Sequence, residues 1–484
     1  MPRGISRPGQ RSARNADNQP FDRESARLDP AVGNIAGKRQ ARQSIRDALR
    51  EHALDLDLSG LHLAVLPPGL AQLTNLQTLN LSANLLTTLP SWFGQFTRLQ
   101  KLDLGGNQLT TLPSEFGQLT KLRELILMSN RLTALPSEFG ELASLEELYL
   151  SNNRLTGLPS EFGHLINLQN LWLHNNPLGQ LPAALGELIN LQDLRVAGTM
   201  LAALPDWLDG LTNLRILDLR DNQLTELPPS FGQLGGLQDL HLSNNQLAAL
   251  PPGFGRLANL EVLDLAGNLD PQTSLTVLPA ELGQLTKLRS LELRNNRLIE
   301  LPPELGGLIN LQQLFLANNQ LTELPAEVGG LGKLQTLWLF NNQLTALPPE
   351  VGQLANLLEL DLLANQLVSL PPEFGQLTNL KQLDLSVNQL SVLPPELGQL
   401  ANLEQLDLSA NRLNVLPPEF GQLIMLQQLF VADNQLTALP PEFGHLTNLQ
   451  TLDLEGNPLA EPLPGLVAQG IPALLSHLQR LRDR

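Results

Sequence analysis

Cysteine is absent from the chain, which removes disulfides, thiolate metal sites and thiol nucleophiles together. Tyrosine occurs once, and all aromatic residues make up only 4% of the chain, so a ring outside a repeated position stands out. The seven histidines never approach metal-ligand spacing. No metal, cofactor or catalytic residue is therefore expected. No apolar run reaches membrane-spanning length, and the N-terminus lacks the hydrophobic core of a secretory signal. Positive charge is scarce: 31 Lys and Arg face 48 Asp and Glu, a net −17. Residues 1–50 hold eleven basic and five acidic residues, so they are +6 and the remainder is −23. Such an acidic array argues against a nucleic-acid backbone or an anionic membrane as partner. A phosphate-cradling loop is missing too. Its nearest approach, Gly329-Gly330-Leu331-Gly332-Lys333, runs into Leu334 where Ser or Thr would be needed.

What the chain does have is leucine in register. The stretch Leu403 to Met425, LEQLDLSANRLNVLPPEFGQLIM, recurs eighteen times with small changes, starting at Ala53 and ending with the unit at Leu449. The step is 23 residues, except for one of 28 between Leu260 and Leu288. Leu-x-x-Leu-x-Leu alternates apolar and polar, as a short strand half buried on one face does. An Asn follows at a fixed offset, then a Leu-Pro pair that cannot continue as a central strand, then Phe-Gly-x-Leu. One unit has too little apolar surface for a core of its own, so stacked units must pool their leucines.

The signature L-x-x-L-x-L-x-x-N-x-L resembles the leucine-rich repeat family from Ala53 to Ile471. That resemblance implies an α/β solenoid: a curved horseshoe with a parallel sheet on its concave face and extended or single-turn helical segments on its convex face. Extracellular members usually staple their ends with disulfides. Their absence favours the cytoplasm, with export into a host cell as an injected effector the alternative. Asn84, Asn107, Asn130, Asn153, Asn176, Asn222, Asn245, Asn268, Asn296, Asn319, Asn342, Asn365, Asn388, Asn411, Asn434 and Asn457 hold the ladder position, where an amide can satisfy backbone groups that the bend takes from water. Leu61 stands there in the first unit and Thr199 in the seventh. Thr makes fewer of these bonds, so local softening is expected. In the tenth unit Leu269–Ser274 interrupts the register, and a binding loop and a tolerated bulge both account for it.

The ends read differently. Residues 1–37 have few large apolar side chains and read as a disordered basic segment. Over 38–52, Ala41, Ile45, Ala48 and Leu49 fall on one helical face and predict a cap for the first repeat. The array is expected over 53–471, and a second capping helix over 472–484 through Leu474, Leu475, Leu478 and Leu481. The closing stretch NPLAEPLPGLVAQGIPALLSHLQRL resembles the junction where the repeats of Roco proteins meet their Ras-like GTPase domain. That likeness implies a regulatory arm of a GTPase assembly; a ubiquitin-ligase assembly is the parallel alternative.

On the strand positions that point into the concave face, most residues are Asp or another polar type. Asp361, Asp384 and Asp407 form one such column, open to reading either as a solvated ladder or as a seat for a cation or basic partner. Ile126, Tyr149 and Trp172 break the pattern on three consecutive strands, with Met128 and His174 beside them. Phe315 and Trp338 break it again with Phe340 alongside, and Phe430 lies further on. Rings on an open sheet face are not core, and aromatics and Met are enriched in interface hot spots. These nine residues are the expected partner-binding set, whereas Trp92 and Trp207 are expected in convex packing. The reading that follows is a non-enzymatic scaffold holding a protein or peptide, of basic character, on its concave face. The sequence sets neither the partner nor the oligomeric state.

Overall fold

In the computed structural model, residues 30–267 and 274–483 are described. Eighteen three-residue strands, β1 (Asp55–Asp57) to β18 (Thr451–Asp453), form a single parallel sheet in chain order. The register is invariant: the central leucine of each strand sits beside the central leucine of the next, as Leu148 beside Leu171. That leucine is buried in almost every unit, while its two neighbours face the other way. This is the period-two alternation of a half-buried strand.

In every unit but the last the return path is a five-residue 3-10 helix, such as Pro418–Gln422, entered from an extended proline (Pro417, φ −63, ψ 143). Its Phe points inward. Phe93, Phe116, Phe139 and Phe162 are fully buried and stack in parallel with centroids 6.2, 6.2 and 6.0 Å apart. Strands in a sheet lie ~4.8 Å apart. The convex layer is therefore wider per repeat than the sheet, and the stack bends with the strands inside. The Gly after each Phe is a close-approach residue. A Cβ on Gly117 would meet the carbonyl oxygen of Glu138 in the following turn.

The Asn side chains bond to the backbone of their own and the preceding repeat. Asn319 donates Nδ2 to Leu293 O at 3.0 Å and Leu316 O at 2.9 Å, and its Oδ1 accepts the Leu298 amide at 3.0 Å. The same set repeats along the array, and from Asn84 to Asn434 the described ladder residues are buried. Asn457, at the end, is half exposed. Asn268 lies outside the described residues, as do 269–273 of the insertion. Asn296, just after it, keeps its donor bonds to Leu265 and Leu293. Its Oδ1 is nevertheless buried without a partner among the described residues. Thr199 donates only to Val196 O and Asn222 Oδ1, and the Leu178 amide that an Asn would have accepted turns to Asn176 O at 2.8 Å.

Two further amide ladders accompany it. Just before the ladder Asn the backbone turns left-handed, and there Asn341, Asn318 and Asn295 bond one to the next at 2.7 and 2.8 Å. Ahead of the strands, Asn167, Asn190 and Asn213 each donate to a carbonyl of the preceding repeat.

The caps depart from expectation at their boundaries. Helix α1 runs Pro30–Glu51, so it starts before Lys38 and takes in part of the span expected to be disordered. Proline is tolerated in a first helical turn. Ala41, Ile45 and Ala48 are buried and Leu49 is half buried. At the other end α2 (Leu463–Gln469) occupies residues expected within the array, because Leu463, Leu466 and Val467 have helical spacing and pack on the core. Helix α3 (Ile471–Arg482) buries Leu474, Leu475 and Leu478, but Leu481, in its last turn, is 43% exposed.

Candidate binding surface

The concave face is built by the first and third residues of each strand and the residue two further on. At the third position the usual Asp has a local task. Oδ1 of Asp361, Asp384 and Asp407 accepts the amides of Leu363, Ser386 and Ser409 at 3.0, 2.9 and 2.9 Å. Asp57, Asp103, Asp218, Asp264 and Asp453 do the same. The column is thus a set of turn caps. Among the described residues no group of three or more His, Cys, Asp or Glu is arranged to hold a metal.

Ile126, Tyr149, Trp172, Phe315, Trp338 and Phe430 occupy that same position with side chains that cannot cap. All are half buried. On β4 (Glu124–Ile126), β5 (Glu147–Tyr149) and β6 (Asn170–Trp172) they lie in adjacent register. Tyr149 and Trp172 meet edge to face, centroids 4.8 Å apart at 77°, with His174 6.2 Å from the indole. The Trp172 indole donates to Asp193 Oδ2 on β7 (Asp193–Arg195) at 3.2 Å, and the Arg195 guanidinium lies 4.2 Å from the Trp172 ring centre. Tyr149 donates to Glu147 at 2.6 Å; burial first, and then this bond, raises its pKa well above the ordinary tyrosine value.

The second cluster repeats this chemistry. Phe315 on β12 (Gln313–Phe315) and Trp338 on β13 (Thr336–Trp338) meet at 4.8 Å and 65°, with Phe340 6.3 Å from Trp338. The Trp338 indole donates to Glu359 on β14 (Glu359–Asp361) at 3.0 Å, the same relation to the next strand as in the first cluster. Arg294 lies 5.4 and 5.5 Å from the two rings and is held by Glu292 at 2.6 Å. Met128 sits beside Ile126 in the first cluster's row, while Phe430 is separated from the second by β14, β15 (Gln382–Asp384) and β16 (Gln405–Asp407) and stands apart.

Between the clusters runs a charged network that the nine expected residues do not include. Asp193 and Asp218 are buried carboxylates paired with Arg195 and Arg220 at 3.1 and 2.6 Å. Burial works to raise the Asp218 carboxyl, but the Arg220 guanidinium holds it below its usual range. Burial likewise opposes the Asp264 charge; His241, the Ala266 amide and Ser243 outweigh it and lower that carboxyl too. At Glu292 burial prevails over Arg294 and the carboxyl is raised. The signal was available: Asp193-Leu-Arg195, Asp218-Leu219-Arg220 and Glu292-Leu-Arg294 place opposite charges two apart, on one face of a strand. A polar cleft of about 480 Å³ lies away from the rings, lined by the Asn167, Asn190 and Asn213 amides with Arg215. Its amides already serve the third ladder.

Trp92 and Trp207 are half buried on the convex side. Trp92 packs on Phe93 and Phe96, and Trp207 lies against Gly186. Among the described residues no helix is long and apolar enough to cross a membrane.

One parallel sheet backed by 3-10 turns, with a whole face of side chains left open, defines a repeat solenoid that presents a surface. The chain belongs to the leucine-rich repeat family: the leucine-rich repeat region model matches residues 114–198, 180–300, 300–389 and 372–483, and a leucine rich repeat model matches 54–109. A leucine-rich repeat protein of Leptospira interrogans is 38% identical, with 88% of this chain and 97% of that one covered at a TM-score of 0.64. YopM of Yersinia enterocolitica is 29% identical over 90% and 97%, with a TM-score of 0.60. A plant peptide hormone receptor, RGFR1, solved in complex with RGF2, is 30% identical over 83% and 78%, with a TM-score of 0.59. No curated protein matches the chain. Proteins of this family generally mediate protein–protein interaction, and the fold is as a rule a non-enzymatic scaffold.

Proposed function

We propose that this chain is a scaffold that holds a protein or peptide of basic character on its concave face, with the two aromatic clusters as anchors and no catalytic step of its own. One observation carries the reading. At six strands an apolar or aromatic side chain, which cannot cap, stands where carboxylates elsewhere accept the amide two residues on. Each replacement gives up a hydrogen bond worth ~0.5–1.5 kcal/mol. Five of the six gather into two clusters, and local rules broken together mark functional positions. The acidic array supplies the complementary field for a basic partner. A chain without cysteine suits the cytoplasm, where we place it. The regulatory-arm reading rests on the likeness of the opening and closing stretches, and the closing one here forms capping helices.

The test is the pair Tyr149→Ala and Trp172→Ala, titrated against a peptide selected on the unmodified chain. Truncating anchors of this kind costs ~2 kcal/mol or more, roughly thirtyfold in affinity. The melting temperature should move little, because the rings lie outside the leucine core. Trp92→Ala should lower the melting temperature and leave binding intact. Normal binding by the concave pair, with loss in the convex variant, would put the partner on the other face.

A further inference from the structure

The two aromatic clusters are alike in more than composition. Each has an edge-to-face ring pair, a tryptophan whose N–H is fixed by a carboxylate on the next strand, and an arginine over the tryptophan ring held by a carboxylate two residues away, Arg195 coming from the following strand and Arg294 from the preceding one. Aromatic faces attract cations, guanidinium most often among side chains. Here the protein's own Arg195 and Arg294 show what fits. The charge is not balanced at either corner. Glu147 and Asp193 face one arginine at the first, and Glu292 and Glu359 face one at the second. Each corner therefore carries negative charge in excess, to which Asp361, beside Trp338 in register, adds at the second.

Resting on the proposed concave-face reading, we infer that the two corners are matched cation seats for two Arg or Lys side chains of a single extended basic segment, with Arg195 and Arg294 as resident competitors. The spacing sets the length of the segment. Trp172 and Trp338 stand on β6 and β13, seven strand intervals apart, roughly 34 Å at ~4.8 Å each. An extended chain rises ~3.3–3.6 Å per residue, so the paired cations lie about ten residues apart. Between the corners Arg195, Arg220 and Arg294 pair with Asp193, Asp218 and Glu292, which limits the negative charge that the intervening residues meet. A partner cation enters by exchange: it takes the ring face while the resident arginine stays on Asp193 or Glu292.

Two labelled peptides of identical composition test this on the full chain. One has two arginines at each end of eight prolines; the other has four arginines in the middle with four prolines on each side. Polyproline rises ~3.1 Å per residue and keeps the ends apart. Measured by fluorescence anisotropy at low salt, the end-paired peptide should bind about tenfold tighter or more, since a second seat acts at high effective concentration. Trp172→Leu or Trp338→Leu should each abolish that advantage. Arg195→Ala and Arg294→Ala should tighten binding several-fold by removing the competitor, whereas Arg195→Lys and Arg294→Lys should not. A purely structural role for these arginines would weaken binding or leave it unchanged. Equal affinity of the two peptides, indifference to the tryptophans, or weaker binding without the arginines would each overturn the inference. If display-selected ligands still depend on Tyr149 and Trp172 while the two arginine peptides bind alike, the matched seats fall and the concave-face reading stands.

Discussion

At the scale of single residues, the array rests on amides that do backbone work. Asn319 satisfies two carbonyls and one amide from three neighbouring segments, all buried. Asn319→Ala should therefore lower stability by ~1–3 kcal/mol in denaturant titration. A change within experimental error would mean that the position is solvated. The residue just before the ladder shows the opposite economy. Val387 holds a left-handed φ of 56° that β-branched residues seldom adopt, where Asn318 and Asn341 fill the same place in other units. The strand Asp is a third case. Its role as a turn cap is invisible in the sequence, because Leu-Asp-Leu reads equally as a solvated ladder or as a cation column. The distances from each Oδ1 to the amide two residues on decide between them.

At the scale of elements, each unit but the last is a three-residue strand and a five-residue 3-10 turn joined by bends, and neither is stable alone. The turns meet through the Phe stack and through glycines that let backbones touch. Gly117→Ala would drive a methyl group into the Glu138 carbonyl, with Glu138 Cβ at 3.0 Å leaving no side space. The cost is expected at ~1–3 kcal/mol, as for other overpacking substitutions, and thermal unfolding measures it. Gly332→Ala is the control, since a Cβ there meets nothing within 4 Å. A control as damaging as Gly117→Ala would show that backbone freedom matters here and close approach does not. The Gly329-Gly330-Leu331-Gly332-Lys333 run belongs to this same repeat logic: a Cβ on Gly329 would lie 2.8 Å from the Glu350 carbonyl, and Lys333 donates to Asn310.

At the scale of the whole molecule, stability passes from neighbour to neighbour, so the ends matter beyond their size. Helix α3 covers the last 3-10 turn through Leu474 and Leu478, and Gln479 donates to Gly444 O at 2.6 Å. Leu478→Asp places a charge where no partner waits, so the cap should detach. Hydrogen exchange should then rise over the last repeats, roughly residues 426–459, while strands near Leu314 keep their protection. Loss of protection along the entire array would show a single cooperative unit and refute the neighbour picture.

The period, the parallel stacking, the buried leucines and the ladder were legible in the sequence, because each repeats in fixed register and has one physical use. The outward position of Tyr149, Trp172, Phe315 and Trp338 was legible for the same reason, since strand alternation sends every third-position side chain to one face. The sequence did not contain what those side chains do once there. That Trp172 sits under Arg195, that Trp338 is tied to Glu359, and that both corners share one design arise from residues 21 to 44 positions apart in the chain. Only the stacking of parallel strands brings them within hydrogen-bond and ring-contact range. The limits of the caps were decided the same way: where α1 begins and where α2 takes over depend on which apolar face meets the exposed end of the core.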